Sequence, residues 1–216
     1  MDLITKVKVS GVNALTDARF FSGAGATYIG FCFDENSPRF IPSEKVYMIK
    51  EWLVGPSFVG EFTVHSKPDE INLIADKAGL DYVQLSESFS PALNNEINRP
   101  IFQEIVIEGV SELNNLQSRL EERQENVEVF ILNFLEDFPL KDFAGLDSNN
   151  LNLIWGLTQR YKVIIDTKIN KENVLDILEL TRAYGINIPA GNEIKTGVQS
   201  FDESADLLEV LEKESD

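Results

Sequence analysis

Short apolar runs alternate with longer amphipathic stretches from one end of the chain to the other. The runs at 6–9, 28–33, 58–62, 82–85, 101–107, 127–132, 163–165 and 185–188 read as strands, and 28–33 is almost wholly apolar, as a strand covered on both faces should be. Between them lie helical patterns. The first, 14–25, has Thr16 as its N-cap and Gly25 near its end. A second, 44–53, follows Pro42-Ser43. A third, 68–78, opens on Pro68-Asp69-Glu70, which sets acids at its positive end, and stops at Gly79. A short helix around 91–96 is followed by 111–123, where Leu113, Leu116 and Leu120 fall at helical spacing. The stretch 134–150 holds Pro139, Gly145 and Asp147-Ser148-Asn149-Asn150 and reads as a long loop. Helices at 151–159, 171–184 and 201–211 complete the pattern.

Strands and helices in strict alternation are the signature of a parallel sheet with crossover helices. Eight repeats in 216 residues leave roughly 27 residues per repeat, near the compact limit of a TIM (β/α)8 barrel. One domain over 1–216 is therefore expected, with a short acidic tail from about residue 212. An open doubly wound sheet normally carries a Gly-x-Gly-x-x-Gly turn after its first strand. None follows Val9, and Gly23-Ala24-Gly25-Ala26 sits at a helix end, where it serves as cap and turn.

Charge and cysteine content narrow the function classes. The formal net charge of -17 opposes a phosphate backbone, so nucleic acid is excluded as a partner. No apolar run reaches the roughly 20 residues of a membrane span, and Met-Asp-Leu-Ile is not a basic leader, so a cytoplasmic protein is expected. Cys32 is the single cysteine, which rules out an intramolecular disulfide and a thiolate metal cluster within one chain. Its place in an apolar strand reads as a packed core thiol.

In such a barrel the chemistry belongs to the C-terminal ends of the strands. Ser10, 33–39, 63–67, 84–87, Ile107, Glu108, Asn133, 166–168 and 189–196 are the positions to inspect. Few of them titrate usefully near neutral pH. Arg39 follows Ser37-Pro38, which presents its guanidinium beside an anion-sized opening, or else it forms a surface ion pair. Lys168 is a strand-end clamp for phosphate or carboxylate, or a solvated loop lysine. His65, the one histidine, lies on the same face, where a lone loop histidine is more often solvated. Glu136-Asp137 are surface charge, or an acidic pair that selects a cation.

Val7-Lys8-Val9-Ser10-Gly11-Val12, Ala24-Gly25-Ala26-Thr27-Tyr28-Ile29-Gly30-Phe31 and Ser37-Pro38-Arg39-Phe40 together resemble the N-terminal pattern of phosphoribosylanthranilate isomerases. Val59-Gly60-Glu61-Phe62 and Gly79-Leu80-Asp81-Tyr82-Val83-Gln84-Leu85 continue it, and Asn170-Lys171-Glu172-Asn173-Val174 and the Gly191 turn extend it weakly into the second half. The resemblance implies a TIM barrel for an Amadori rearrangement in tryptophan biosynthesis, with no cofactor, a small anionic ligand, phosphorylated or not, and a monomer or homodimer. It also implies a base at position 10 and an acid at position 133, where the family has cysteine and aspartate and this chain has Ser10 and Asn133. Asp166 is the candidate replacement acid. Arg39, Gly11, Gln84 and Gly191 are what the resemblance implies of the binding apparatus, and Lys168 joins Arg39, Gln84 and Gly191 as a candidate substrate or phosphate contact by its place at a strand end.

The loops depart from the family as well. Its Gly-Gly-x-Gly loop becomes Phe134-Leu135-Glu136-Asp137-Phe138, and its paired glycines after the seventh strand become Asp166-Thr167-Lys168. Its Asp-x-Ser-Ser-Gly becomes Asn187-Ile188-Pro189-Ala190-Gly191, where Pro189 removes a backbone donor. Three expectations stand: a barrel of this family that has lost or changed its isomerase activity, an active isomerase, or a non-catalytic partner barrel.

Overall fold

The computed structural model describes residues 2–62, 67–135, 147–195 and 198–213, with backbone alone for 192–195 and 198–199. Eight parallel strands close into a barrel in sequence order. They are β1 (Lys6–Ser10), β2 (Tyr28–Cys32), β3 (Ser57–Phe62), β4 (Tyr82–Leu85), β5 (Ile101–Ile107), β6 (Val127–Phe134), β7 (Val163–Asp166) and β8 (Gly185–Pro189). Closure is the pairing of β8 onto β1, from Lys6 with Gly185 to Ser10 with Pro189. The helices are α1 (Leu15–Gly23), α2 (Ser43–Lys50), α3 (Pro68–Ala78), α4 (Leu116–Arg123), α5 (Ser148–Arg160), α6 (Val174–Thr181) and α7 (Asp202–Val210), with 3-10 turns at Pro91–Glu96 and Val110–Asn115. This is the TIM barrel expected from the alternation.

Side chains two apart on a strand share a face, and that rule divides the core. Val7 and Val9, Ile29 and Phe31, and Val83 and Leu85 face outward, where they pack under helix residues such as Ile71, Ala75 and Ala78. Leu113, Leu116 and Leu120 cover the other half of the barrel, all fully buried. The opposite faces of the strands point inward, where Tyr28, Val59, Phe102, Val129, Ile131 and Ile164 form a separate apolar plug. The plug is built from strands alone, so it lies inside the barrel.

Several boundaries differ from expectation for local reasons. Thr16 is not the N-cap of α1: extended Ala14 is, and the Thr16 hydroxyl bonds Asp17 Oδ1 at 3.1 Å inside the first turn. Helix α5 starts at Ser148, earlier than 151, because the Asp147 carboxylate accepts from the Asn150 amide at 2.9 Å. Helix α6 starts later than 171, since Asn170 and Asn173 bond one another's backbone amides in a turn ahead of it. Strand β6 runs through Asn133 to Phe134, past the expected 132. An antiparallel hairpin, β9 (Asn192–Lys195) with β10 (Val198–Ser200), follows β8 and had no counterpart in the pattern reading.

Barrel closure puts one glycine under steric constraint. A Cβ on Gly185 would lie 2.4 Å from the Lys6 carbonyl oxygen, a backbone atom held in the β1–β8 ladder. Gly185→Ala is expected to destabilise the protein by about 2 kcal/mol, seen as a lower urea midpoint with an unchanged m-value.

Candidate active site

The inward face changes character two residues beyond the plug. Val59 is followed on that face by Glu61, Tyr82 by Gln84, Phe102 by Glu104, Ile131 by Asn133 and Ile164 by Asp166. Lys8 and Ser10 of β1 and Asn187 of β8 complete a polar layer at the C-terminal end of the barrel, where this fold carries its chemistry.

Lys8 is the centre of the layer. It is fully buried, and its ammonium lies 2.7 Å from Glu61 Oε1, 2.6 Å from Ser10 Oγ and 3.3 Å from Asn187 Oδ1. Three donors thus meet three acceptors, one of them charged. Glu61 Oε2 accepts from the Gly11 amide at 3.2 Å. The Ser10 hydroxyl donates to Asn187 Oδ1 at 2.8 Å, and Asn187 Nδ2 donates to Asp166 Oδ2 at 2.8 Å. One chain of hydrogen bonds therefore runs from Gly11 through Glu61, Lys8, Ser10 and Asn187 to Asp166. Gly30 makes room for it, because a Cβ there would lie 2.2 Å from Glu61 Oε1 and 3.1 Å from the Lys8 nitrogen.

These bonds decide what each group can do. Ser10 gives its proton to an amide oxygen, which is no base, and accepts from an ammonium. Asn133 donates its amide to Glu104 Oε1 at 2.7 Å and delivers no proton. Asp166 sits beside Asn133 in register on the neighbouring strand. Burial pushes its carboxyl up to about 7, against the attraction of Lys8, with Glu104 adding to the rise. A carboxyl in that range both gives and takes protons near neutrality.

Ser10, Gln84, Asn133, Asp166, Lys168 and Gly191 line a single cavity of about 1420 Å³. Arg39 does not line it. Its guanidinium donates to the Gly11 and Gly191 carbonyls, each at 3.2 Å, and so ties the loop after β1 to the loop after β8. Gly11, at φ +69°, leaves that path open, since a Cβ would lie 2.5 Å from Arg39 Cδ. Cys32 is half-buried on the inward face of β2 and lines the cavity, which corrects its reading as a packed core thiol. His65, Glu136 and Asp137 lie outside the described residues. Lys8, Glu61 and Glu104 were missed as site residues in the sequence, and Asn187 was read only as the first position of the eighth-strand motif. The signal was there in the period of two, as polar residues on the phase of an otherwise apolar strand face.

A family model described as N-(5'phosphoribosyl)anthranilate (PRA) isomerase matches residues 7–209. An N-(5'-phosphoribosyl)anthranilate isomerase of Citrifermentans bemidjiense is 38% identical over 195 residues, 90% of this chain and 90% of that one. One from Geotalea uraniireducens is 29% identical over 204 residues, 91% of this chain and 93% of that one. Among solved structures, the Thermotoga maritima enzyme, described as monomers generated from a dimeric phosphoribosylanthranilate isomerase, superposes with a TM-score of 0.76 at 23% identity, covering 96% of this chain and 98% of its own. A phosphoribosyl anthranilate isomerase in complex with reduced 1-(o-carboxyphenylamino)-1-deoxyribulose 5-phosphate has a TM-score of 0.77 at 21% identity, with the same coverage.

Two outcomes are expected from the network. Glu61→Gln leaves the buried Lys8 ammonium without a counter-charge and should cost about 3 kcal/mol or more in urea unfolding. Replacing Lys8 by Met and Glu61 by Leu together should restore most of that loss. The second outcome concerns Asp166. Its folded pKa of about 7 lies above the unfolded value of about 4, so its contribution is complete below pH 4 and is lost as pH rises towards 7. Asp166→Asn should therefore gain stability relative to wild type across that window, measured as the difference in unfolding free energy between pH 4 and pH 8. A constant difference would contradict the raised pKa.

Proposed function

We propose, from the premise that this chain belongs to the N-(5'-phosphoribosyl)anthranilate (PRA) isomerase family, that its barrel mouth no longer runs the family's aldose-to-ketose proton transfer through positions 10 and 133. The observation that carries this is the locking of Ser10 between the Lys8 ammonium and the Asn187 amide oxygen. A base at that position has to receive a proton from substrate, and this hydroxyl is held by an ammonium with no basic partner to relay to. Across the mouth, Asn133 is spent on Glu104. Each proton-transfer group is worth about 100- to 10,000-fold in rate, so losing both removes most of the family's catalysis. Among the described residues Asp166 is the carboxyl whose pKa is raised into the neutral range, so on this reading the activity has been lost or exchanged for chemistry centred on that carboxyl. A cytoplasmic location goes with this reading, because the family's reaction is biosynthetic.

One observation favours a second reading, an active isomerase on a small phosphorylated ligand. Asp166 is the strand-end neighbour of Asn133, where a replacement acid would be needed, and Lys168 two residues on lines the same cavity. On that reading Lys168, Gln84 and the Gly191 turn take the substrate and its phosphate.

Purified protein assayed for the isomerase reaction, together with rescue of a tryptophan auxotroph, separates the two. Wild type and the Ser10→Cys/Asn133→Asp variant are both expected to show no rescue, since the glycine loops are not restored by those two changes. Robust wild-type turnover that Asp166→Asn abolishes would establish the second reading. Turnover abolished by Ser10→Ala would overturn the account of the locked hydroxyl.

A further inference from the structure

We infer that the outer face of α2, with its connection to β3, seats a second copy of this chain, so that the protein assembles as a two-fold dimer. The sequence leaves a monomer and a homodimer both open, and the distribution of exposed apolar side chains decides between them. Nine large apolar side chains are exposed among the described residues, and four of them fall within eight positions: Tyr47 at 48%, Met48 at 57%, Trp52 at 73% and Val54 at 96%. Each of the other five lies in a different part of the chain. The stretch is firmly seated. Val46 and Ile49 are buried and Leu53 packs against the same cluster. The helical turn continues past the end of α2, since the Trp52 amide donates to the Ile49 carbonyl at 3.1 Å and the Leu53 amide to that of Lys50 at 3.2 Å. Met48 and Trp52, four apart, therefore share the face that turns away from the barrel. Lys50 fastens the base of the stretch to the turn ahead of β4, donating to the Gly79 carbonyl and to Asp81 Oδ1 at 3.0 Å.

Area and charge together name the occupant. The four side chains expose roughly 500 Å², as much as the largest apolar patch of an ordinary monomer and more than half of the about 800 Å² that each partner brings to a standard interface. Tryptophan, tyrosine and methionine are the side chains that fill the centre of such interfaces. Over the whole chain the net charge is -17, so two copies repel one another on approach. Residues 44–54 set Glu44 and Glu51 against Lys45 and Lys50 and are neutral, so the repulsion is least where this stretch meets itself. A basic partner would be drawn to the acidic remainder of the surface instead. An acidic partner finds Lys50 already paired with Asp81 and Lys45 donating to the Asn13 carbonyl at 2.9 Å. A two-fold pairing sets the patch on its own copy and closes, so no further subunits add. The connection from α2 into β3 lies at the end of the barrel where the strands begin, away from Ser10, Asp166 and the cavity. Pairing there leaves both mouths open, and the inference is independent of the reaction that the mouth runs.

The test is sedimentation equilibrium of the full chain from about 1 to about 100 μM, at low and at high salt. A monomer–dimer equilibrium is expected with a dissociation constant in the micromolar range or below, tighter at high salt because screening removes the repulsion between two acidic chains. Trp52→Ser with Val54→Ser changes exposed side chains alone and should raise that constant about 30-fold or more. Leu175→Ser, an exposed apolar change on α6, should leave it within about twofold. Matched far-ultraviolet circular dichroism shows that the double variant is folded, and Met48→Ser, on the same face, should weaken the dimer in the same direction. A wild type that stays monomeric at about 100 μM overturns the inference. So does a dimer that the double variant leaves intact, which would put the interface elsewhere, and so does an assembly that keeps growing with concentration.

Discussion

A lysine ammonium sealed inside the barrel constrains the whole mouth. Removing Lys8 from water costs several kcal/mol, and the cost is met only if a counter-charge and further acceptors lie in contact with all three protons. Glu61 supplies the charge from β3, and Ser10 and Asn187 supply the other acceptors from β1 and β8. Each partner then loses its freedom. Glu61 needs the space that Gly30 leaves. Ser10 turns its proton to Asn187, and the Asn187 carboxamide, with its oxygen toward Lys8 and Ser10, must direct its NH₂ at Asp166. A requirement at one residue near the N-terminus is thereby carried along three adjacent strands, β1, β8 and β7, to Asp166.

Position along that chain separates the carboxylates. Glu61 touches the ammonium directly, whereas Asp166 meets the same charge through an amide and lies close enough to Glu104 to feel its repulsion. For Asp166 burial outweighs the attraction of Lys8, and the carboxyl rises into the neutral range. Two acids that differ by a few ångströms of placement thus take different roles, one a fixed counter-ion and the other a group able to exchange protons. An apolar plug from Tyr28 to Ile164 lies beneath them and keeps water away from below.

Most of the barrel is legible in the chain because the outward strand faces and the helix stripes follow simple periods. Leu113, Leu116 and Leu120, or Pro68 and Gly79 at the two ends of α3, state their roles locally. The α1 cap was misread because Thr16 is a good capping residue by type, yet the backbone turns at Ala14, two residues earlier. The site was half legible. Ser10, Asn133, Asp166, Gln84, Lys168 and Gly191 stand at strand ends and do meet in one cavity. Arg39 looked like an anion clamp, since nothing in Ser-Pro-Arg shows that two backbone carbonyls will claim the guanidinium. Lys8 and Glu61 are 53 positions apart, and their pairing depends on barrel register, which no local pattern contains.

That pairing also bears on what position 187 can do. Asn187, on β8, places its amide oxygen 3.3 Å from the Lys8 nitrogen. An amide at that point brings no charge, so a negative charge has to reach the buried ammonium from elsewhere. Glu61 does so from the opposite side of β1, through the opening at Gly30. The amide at 187 accepts from Ser10 and donates to Asp166, a donation that an ionised carboxylate in its place could not make. The plug and the helix-covered shell take no part in these bonds, so the barrel is held together independently of the chemistry at its mouth.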